Sequence, residues 1–184
     1  MIGILLAAGF SRRFGSANKL LHYLPDGRAI AVAAGDNLIK AIPTCIAIVR
    51  PENKKLAEML LNAGLKVVFC SENNQQMADS LSTAIHLSSK FNTINKGFVI
   101  ALGDMPYIDP FTITRVATKI AAGASIVIPT HQSQHGHPVG FSNKFRHALE
   151  NLQGDEGARA IIKRYANEVE TLATDDEEIG RAHV

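Results

Sequence analysis

Hydrophobic positions along the chain follow two periods, and each period predicts one kind of element. Short apolar runs bounded by turn residues are typical of buried strands. They occupy residues 2–7, 46–49, 67–70, 98–102 and 125–129. Between most of these runs, apolar residues recur every three or four positions, which is the period of an amphipathic helix. The predicted helices cover residues 29–42, 52–63, 75–90, 108–122, 143–149 and 156–164.

Strand and helix patterns alternate along the chain, which predicts an α/β fold in a single domain spanning residues 1–184. Alternating units of this length favour a mostly parallel, doubly wound (Rossmann-like) sheet with helices on both faces. Residues 20–24 are expected to be extended and to end in the turn Pro25-Asp26-Gly27. An irregular acidic tail is expected from about residue 174. In such a sheet, ligands bind beyond the carboxyl ends of the strands.

Composition limits the kinds of partner that the chain can have. It contains 184 residues, 46% of them hydrophobic, with 19 basic and 17 acidic residues and a net charge of +2. This near balance predicts neither a nucleic-acid surface nor an anionic-membrane surface. No apolar run approaches the roughly 20 residues that cross a bilayer, and the chain opens on a strand rather than a signal peptide. We therefore expect a cytoplasmic protein without membrane contact.

The two cysteines do not suggest a redox or metal site. Cys45 and Cys70 lie in or beside predicted strands, and they form no CxxC pair. Isolated cysteines in apolar runs are typical of small core residues rather than of disulfides or metal ligands.

The first predicted strand runs directly into a loop that is rich in glycine and cations. Leu6-Ala7-Ala8-Gly9 is followed by Ser11, Arg13, Gly15 and Lys19. Glycines allow backbone N–H groups to approach phosphate oxygens, and a serine hydroxyl adds a donor. Arginine offers a planar fork for two phosphate oxygens, and lysine offers a compact charge. The pattern predicts a nucleotide-phosphate cradle, with a glycine-rich turn and incidental surface cations as the alternative; it is neither a Walker A loop nor the dinucleotide fingerprint.

The segment LLAAGFSRRFGSANKL resembles the N-terminal signature LAAGxSxRMGxxK of the MobA-like nucleotidyltransferases, which include the molybdenum-cofactor guanylyl- and cytidylyltransferases. Phe14 replaces the usual methionine, and three residues rather than two separate Gly15 from Lys19. The resemblance implies that Arg13 and Lys19 are catalytic and hold the triphosphate. It implies a nucleotide-binding set made of Leu6, Ala7, Ala8, Gly9, Ser11, Arg13, Gly15, Lys19 and, from a later segment, Ser80.

A second motif, Gly103-Asp104-Met105-Pro106, follows the strand predicted at 98–102. Asp104 is therefore expected at the same edge of the sheet as the cradle. A carboxylate facing bound phosphates suits Mg²⁺, which is commonly held by one or two carboxylates together with phosphate oxygens. The alternative is that Asp104 caps the following helix, although Asp109 is better placed for that role and is a weaker candidate for the metal. The family resemblance agrees with the metal interpretation and implies that Asp104 is both a catalytic residue and the Mg²⁺ ligand.

Three further segments match the family less specifically. Met77-Ala78-Asp79-Ser80-Leu81 is similar to a segment of the cytidylyl branch, and its alternative is an ordinary amphipathic helix start. GHPVGF resembles the family's GHPVLF, which implies that Gly136, His137 and Pro138 line the acceptor pocket; a polar lid is the alternative, and His131 and His135 add no closed zinc site. GDEGAR matches the family's GDxGAR, so Asp155 is expected to cap a helix, and Arg159 either faces an anion in the acceptor pocket or lies on the surface.

The resemblance covers roughly residues 2–160, and beyond them the chain departs from the family. Relatives usually end with a strand and a DIDTPEDL-like segment whose first acidic or amide residue contributes to the metal. Here the corresponding stretch reads ATDDEEIGRAHV. Three outcomes remain open: Asp175 or Asp176 substitutes, the site lacks its second protein ligand, or the chain is truncated relative to an active relative.

The resemblance implies an Mg²⁺-dependent nucleotidyltransferase of the EC 2.7.7 type. The segments LAAG, MADSL and GHPVGF look most like the cytidylyl branch. They imply transfer of CMP from CTP to the terminal phosphate of molybdopterin, with release of pyrophosphate and with a molybdoenzyme or chaperone as a protein partner. The alternatives are a related enzyme that uses GTP or acts on a sugar or polyol phosphate, and a catalytically silent nucleotide-binding domain.

Overall fold

The computed structural model describes residues 1–9, 18–71, 77–91, 96–154 and 156–183. The strands are β1 (Ile2–Ala7), β2 (Cys45–Val49), β3 (Lys66–Phe69), β4 (Gly97–Leu102), β5 (Ile126–His131), β6 (Gln134–His135), β7 (Val139–Ser142) and β8 (Val169–Ala173). The α-helices are α1 (Ile30–Ala41), α2 (Lys54–Asn62), α3 (Met77–Ser88), α4 (Pro110–Ala121), α5 (Arg146–Glu150) and α6 (Arg159–Arg164). Short 3-10 segments lie at Lys19–Leu21, Asn143–Phe145, Ala166–Glu168 and Glu177–Gly180.

The strands form one sheet with the order β3-β2-β1-β4-β7-β5, and β8 pairs with β5 on its far side. β1 is parallel to both β2 and β4, and β8 is parallel to β5. β7 is antiparallel to β4 and to β5, and the two-residue β6 continues the antiparallel pairing along β5. The predicted mostly parallel α/β sheet is therefore confirmed, with β7 as an antiparallel strand inside it.

Helices cover both faces of the sheet, as predicted. Along β1 the side chains of Ile2 and Ile4 enter one core, and those of Leu5 and Ala7 enter the other, because successive strand residues point to opposite faces. The core around Ile2 and Ile4 includes buried residues of α3, α5 and α6, and the core around Leu5 and Ala7 includes buried residues of α1, α2 and α4. The apolar runs in β1, β2 and β4 are thus buried on both faces of the sheet, the usual condition of parallel strands, whereas β3 at the edge leaves Phe69 49% exposed.

The sequence analysis missed β6, β7 and β8. β6 and β7 fall in the segment predicted as a histidine-rich loop, where glycine and proline hide the alternating pattern. The hairpin from β5 to β6 turns at Gln132 and Ser133, which both have positive φ (47° and 66°) and carry none of the usual glycine signal of such turns. β8 was missed because Leu172 is its only buried residue.

Three other predictions need correction. Residues 20–24 were expected to be extended, but Lys19–Leu21 form a 3-10 turn capped by the Asn18 side chain, which accepts a hydrogen bond from Leu20 N–H at 3.1 Å. The last predicted helix begins at Arg159 rather than at residue 156. The acidic tail is irregular only in part, because it contains the 3-10 segment at Glu177–Gly180. No helix in the described part of the chain is long and apolar enough to cross a membrane.

Candidate active site

The carboxyl ends of β1 and β4 meet because the two strands are adjacent and parallel. Leu6 pairs with Leu102 at the end of their register. One residue later, the Gly103 N–H donates to the Leu6 carbonyl at 2.9 Å. A Cβ on Gly103 would lie 3.1 Å from that carbonyl oxygen, so glycine allows the close approach of the two chain segments. Asp104 is thereby placed beside the segment Ala7-Ala8-Gly9, as the sequence predicted.

Lys19 and Asp104, the two ends of the predicted site, form an ion pair. The Lys19 Nζ lies 3.4 Å from Asp104 Oδ2. The lysine side chain is 15% exposed and the aspartate side chain is 32% exposed, so the pair is at the sheet edge and partly accessible to a ligand. Residues 85 positions apart in the sequence are joined here by the strand order alone. At one edge of a sheet, a lysine can bind phosphate oxygens while a carboxylate binds the metal ion that the phosphates carry.

Asp104 does not cap the following helix. Asp109 is the N-cap of α4, and its Oδ1 accepts a hydrogen bond from the Phe111 N–H at 2.8 Å. This confirms Asp109 as the capping residue and leaves the Asp104 carboxylate to the site. The backbone carbonyl of Asp104 accepts a hydrogen bond from the His183 N–H at 2.7 Å, and this bond does not involve the carboxylate.

The donor set at Asp104 fits a hard divalent cation that arrives with a nucleotide. Within the described residues, no group of three or more His, Cys, Asp or Glu side chains could hold a metal ion. Mg²⁺ does not require such a cage, since it is usually bound by one or two carboxylates together with waters and substrate phosphates. Asp104 is the residue that would hold it here, with the remaining positions left to phosphate oxygens and water.

Of the two candidate ligands in the tail, Asp176 is engaged with other groups. Asp176 Oδ1 accepts a hydrogen bond from the Glu178 N–H at 3.1 Å, and its Oδ2 accepts one from the Asp109 N–H at 2.9 Å. Asp175 is exposed. Asp176 is therefore the cap of the 3-10 segment at Glu177–Gly180, and the suggestion that one of these carboxylates replaces the second family ligand gains no support from the fold.

The charges of Arg159 and Asp104 both act on His137. Burial lowers the pKa of its imidazole, the charge of Arg159 lowers it further, and Asp104 and the Ile100 backbone act in the opposite direction. The Nδ1 atom of the ring is buried, with no hydrogen-bond partner in the described part of the chain. The fold thus brings His137 into the electrostatic range of both Asp104 and Arg159, although the three come from separate segments. Arg159 itself is exposed at the first position of α6.

The lowered pKa of His137 predicts a pH dependence of stability. Below the ordinary value of 6.5 the unfolded chain binds a proton on this residue more readily than the folded chain does. Stability therefore rises with pH in that range, and it is lost as the pH falls from 7 toward 5. Urea unfolding without nucleotide, compared with His137→Gln, should show a smaller loss in the variant. Parallel curves for the two proteins would contradict the assignment, because titrations elsewhere are common to both.

Three further predicted site residues are buried: Gly136, Pro138 and Ser80. Gly136 is packed so closely on the tail that a Cβ would lie 2.4 Å from the Ile179 carbonyl oxygen, and Pro138 is buried next to His137. Ser80 is buried, 6% exposed, and its hydroxyl bonds the Cys70 thiol, whose pKa is raised by burial. Ser11, Arg13, Gly15 and Asp155 lie outside the described residues. Cys45 and Cys70 are free and buried, as predicted.

Arg50 was not predicted from the sequence. It directly follows β2, the neighbour of β1, and is only 8% exposed. Its Nε donates to Glu52, and its charge also acts on Cys70 at the end of β3. A single arginine directly after the apolar run Cys45–Val49 is the signal that could have revealed a buried cation at this edge of the sheet.

The fold and the Lys19–Asp104 pair at the edge of its sheet define an α/β protein with a mostly parallel sheet and charged groups where β1 and β4 end. A family model places it more closely: residues 3–169 match the MobA-like NTP transferase domain. The chain belongs to this family, and nucleotidyl transfer is the activity of its class. A comparison with curated protein sequences finds no match.

Solved structures agree with this fold. Rv0371c from Mycobacterium tuberculosis H37Rv is 26% identical, with a TM-score of 0.80 over 94% of this chain and 87% of that chain. A complex of Rv0371c with manganese is 24% identical, with a TM-score of 0.78 over 98% and 92%. A nucleotidyl transferase from Methanothermobacter thermautotrophicus is 17% identical, with a TM-score of 0.77 over 100% and 92%. The last two likenesses show the fold alone.

Proposed function

We propose that the protein transfers CMP from CTP to the terminal phosphate of molybdopterin or of the molybdenum cofactor. The observation that carries a transfer reaction is the Lys19–Asp104 pair at the joint carboxyl ends of β1 and β4. The choice of cytidine and molybdopterin is supported by the resemblance of LAAG, MADSL and GHPVGF to the cytidylyl branch. Fold and site chemistry do not by themselves determine the acceptor.

The reaction is a displacement at phosphorus. An oxygen of the acceptor phosphate forms a bond to the α-phosphorus of the nucleotide, and the bond to the bridging oxygen of pyrophosphate breaks with its electron pair. A phosphate nucleophile is already anionic, so the step needs no general base. The work of the protein is to place the two substrates in line and to balance the charge that builds on the leaving group.

The residues divide this work between the two substrates. Lys19 would neutralise the triphosphate, together with Arg13 and with the backbone donors from Leu6 to Gly9. Arg159 and His137 would face the acceptor phosphate, with the histidine donating a hydrogen bond. When bound at Asp104, Mg²⁺ would supply charge neutralisation for the phosphates. The manganese complex of Rv0371c is consistent with a divalent ion in this fold.

A silent nucleotide-binding domain is the second candidate, and one observation favours it. The Asp176 carboxylate accepts hydrogen bonds from the Glu178 and Asp109 N–H groups, so it is engaged as a cap rather than offered to Asp104 as a second metal ligand. Such a domain would bind nucleotide without transferring it, because substrate binding alone does not stabilise the transition state.

Calorimetric binding of CTP, GTP, ATP and UTP with Mg²⁺ tests the proposal, with turnover of molybdopterin measured for the nucleotide that binds. Selective CTP binding followed by pyrophosphate release supports the cytidylyltransferase. Selective GTP binding would identify GTP rather than CTP as the nucleotide substrate. Turnover only with a sugar or polyol phosphate would identify that phosphate, rather than molybdopterin, as the acceptor. CTP binding without release in the presence of any of these acceptors favours the silent domain, and no nucleotide binding would refute both.

Lys19→Ala is expected to raise the activation free energy of transfer by about 2 to 4 kcal/mol, as for the removal of one preorganised charged donor. Because the pair with Asp104 is partly accessible, its loss should cost less than about 1 kcal/mol of folding free energy. Steady-state pyrophosphate release measures the first effect and urea unfolding the second. Lys40→Ala, which removes an exposed lysine in the last turn of α1, is the control. Turnover equal to that of Lys40→Ala would remove Lys19 from the mechanism.

A further inference from the structure

The segment 176–183, which departs from the family pattern, joins the two loops that carry Asp104 and His137. Its first contact is made by Asp176, whose Oδ2 accepts a hydrogen bond from the Asp109 N–H at 2.9 Å. Its last is made by His183, whose N–H donates to the Asp104 carbonyl at 2.7 Å. The loop from residue 104 to 109 is therefore held at both of its ends by one stretch of chain. We call residues 176–183 the clasp.

The middle of the clasp holds the other loop. The His137 N–H donates to the Ile179 carbonyl at 2.8 Å. Ile179 is 2% exposed and fills the space above Gly136, where a Cβ would lie 2.6 Å from the isoleucine side chain. Because these atoms are in close contact, a shift of the clasp must also move Gly136 and His137.

Rings and ion pairs stiffen the last turn of the clasp. The His183 ring packs edge-to-face against Tyr107 with 5.5 Å between the ring centroids. Arg181 pairs with the exposed Glu177 at 3.0 Å and with the half-buried Glu178 at 3.4 Å. The ring contact thus adds a second attachment to the loop that carries Asp104, and the ion pairs act only within the clasp.

We propose that His183 is a positioning residue for nucleotide transfer, because its backbone N–H and its ring hold the Asp104 loop in register with Lys19 and with the His137 loop. In the family, the corresponding segment is expected to bring a metal ligand; here it brings a backbone donor and an aromatic contact to the loop of the first ligand. The inference rests on the proposed function, since the site it positions is the proposed nucleotide site.

Three variants separate the parts of this contact. His183→Pro removes both the N–H and the ring, His183→Ala removes the ring alone, and His183→Phe restores a ring. Arg181→Ala is the matched control in the same segment, because its partners belong to the clasp itself. Nucleotide affinity with Mg²⁺, kcat and KM are measured for each, together with amide hydrogen exchange over residues 104–109 in the absence of nucleotide.

We expect His183→Pro to weaken nucleotide–Mg²⁺ binding about fivefold to tenfold, the loss typical of one buried hydrogen bond with its packing. His183→Ala should show a smaller loss, and His183→Phe should recover wild-type affinity. Amide exchange over 104–109 should accelerate in the proline variant and stay unchanged in Arg181→Ala.

Two results would overturn the proposal. One is faster exchange in His183→Pro with wild-type affinity and kcat, which would mean that the clasp holds the loop but not the site. The other is an equal loss in Arg181→Ala, which would mean that general stability of the segment is responsible. If His183→Pro does not fold, wild-type affinity in His183→Ala overturns it as well. A wild-type protein that binds no nucleotide, yet shows the predicted exchange pattern, would refute the proposed function instead.

Discussion

Asp104→Ala is expected to lower kcat/KM for nucleotidyl transfer by about 100-fold to 1,000-fold, the range found when one preorganised electrostatic contact is removed from a transition state. Asp104 is placed for this role by the hydrogen bond from Gly103 N–H to the Leu6 carbonyl and by its 3.4 Å contact with Lys19. Without the carboxylate, the metal ion would lose its protein ligand, and the neutralisation of the triphosphate would be left to the cationic side chains. Steady-state pyrophosphate release at saturating Mg²⁺ measures the effect.

Asp104→Asn distinguishes charge from shape. The amide keeps the size of the side chain and an oxygen for Lys19, but it is a poor ligand for a hard cation compared with a carboxylate. We therefore expect nearly the same loss as in Asp104→Ala. Asp109→Asn is the control, because asparagine is also a good N-cap and this residue caps α4. Activity of Asp104→Asn close to that of Asp109→Asn would show that the carboxylate charge is not needed.

Phe98→Ala is expected to lower the free energy of unfolding by about 3 to 5 kcal/mol, the range for a large-to-small change in a core. Phe98 is fully buried in β4, next to Ile2 of β1 and Phe141 of β7 in the sheet register. The Arg146 guanidinium lies over its ring, 5.0 Å from the centroid. The neighbours belong to rigid strands and cannot collapse into the space left behind, so the cavity term should be large.

Urea unfolding monitored by circular dichroism measures this loss. Phe111→Ala is the matched control, since Phe111 is 67% exposed and its described contact is a cation–π interaction with Arg115 at 5.8 Å. An exposed contact of that kind contributes about 0.5 to 1 kcal/mol. A destabilisation by Phe98→Ala within that range would mean that β4 is not a central strand of the core.

Several features of the site could be predicted because they depend on short stretches of sequence. A segment rich in glycine and cations follows the apolar run of β1, and Gly103-Asp104 follows the apolar run of β4. A parallel sheet places the segments that follow such strands at one edge. The cap at Asp109 was recognised from its position before an amphipathic helix. These predictions required only local patterns and the rule that parallel strands end together.

Other features could not be predicted, because the signal lies in distant residues. β7 contains Gly140, where a Cβ would lie 2.7 Å from Ile120 of α4, so the glycine that obscured the strand is required by a helix far away in the chain. Asp176 was a candidate ligand by sequence, yet it caps its own 3-10 segment and bonds Asp109. Arg50 lies at the same edge of the sheet as the site only because β2 pairs with β1.

The sequence by itself determined the alternation of strands and helices and the family that its glycine-rich N-terminal motif resembles, and it predicted the edge of the sheet for ligand binding. Periodicity and turn chemistry act over a few residues, so they can be read without the fold. Only the tertiary structure decided that Lys19 faces Asp104, that β7 runs against its neighbours, and that residues 176–183 tie the Asp104 and His137 loops together. These are contacts between segments that are remote in sequence, and they are set by packing and strand order rather than by any local preference.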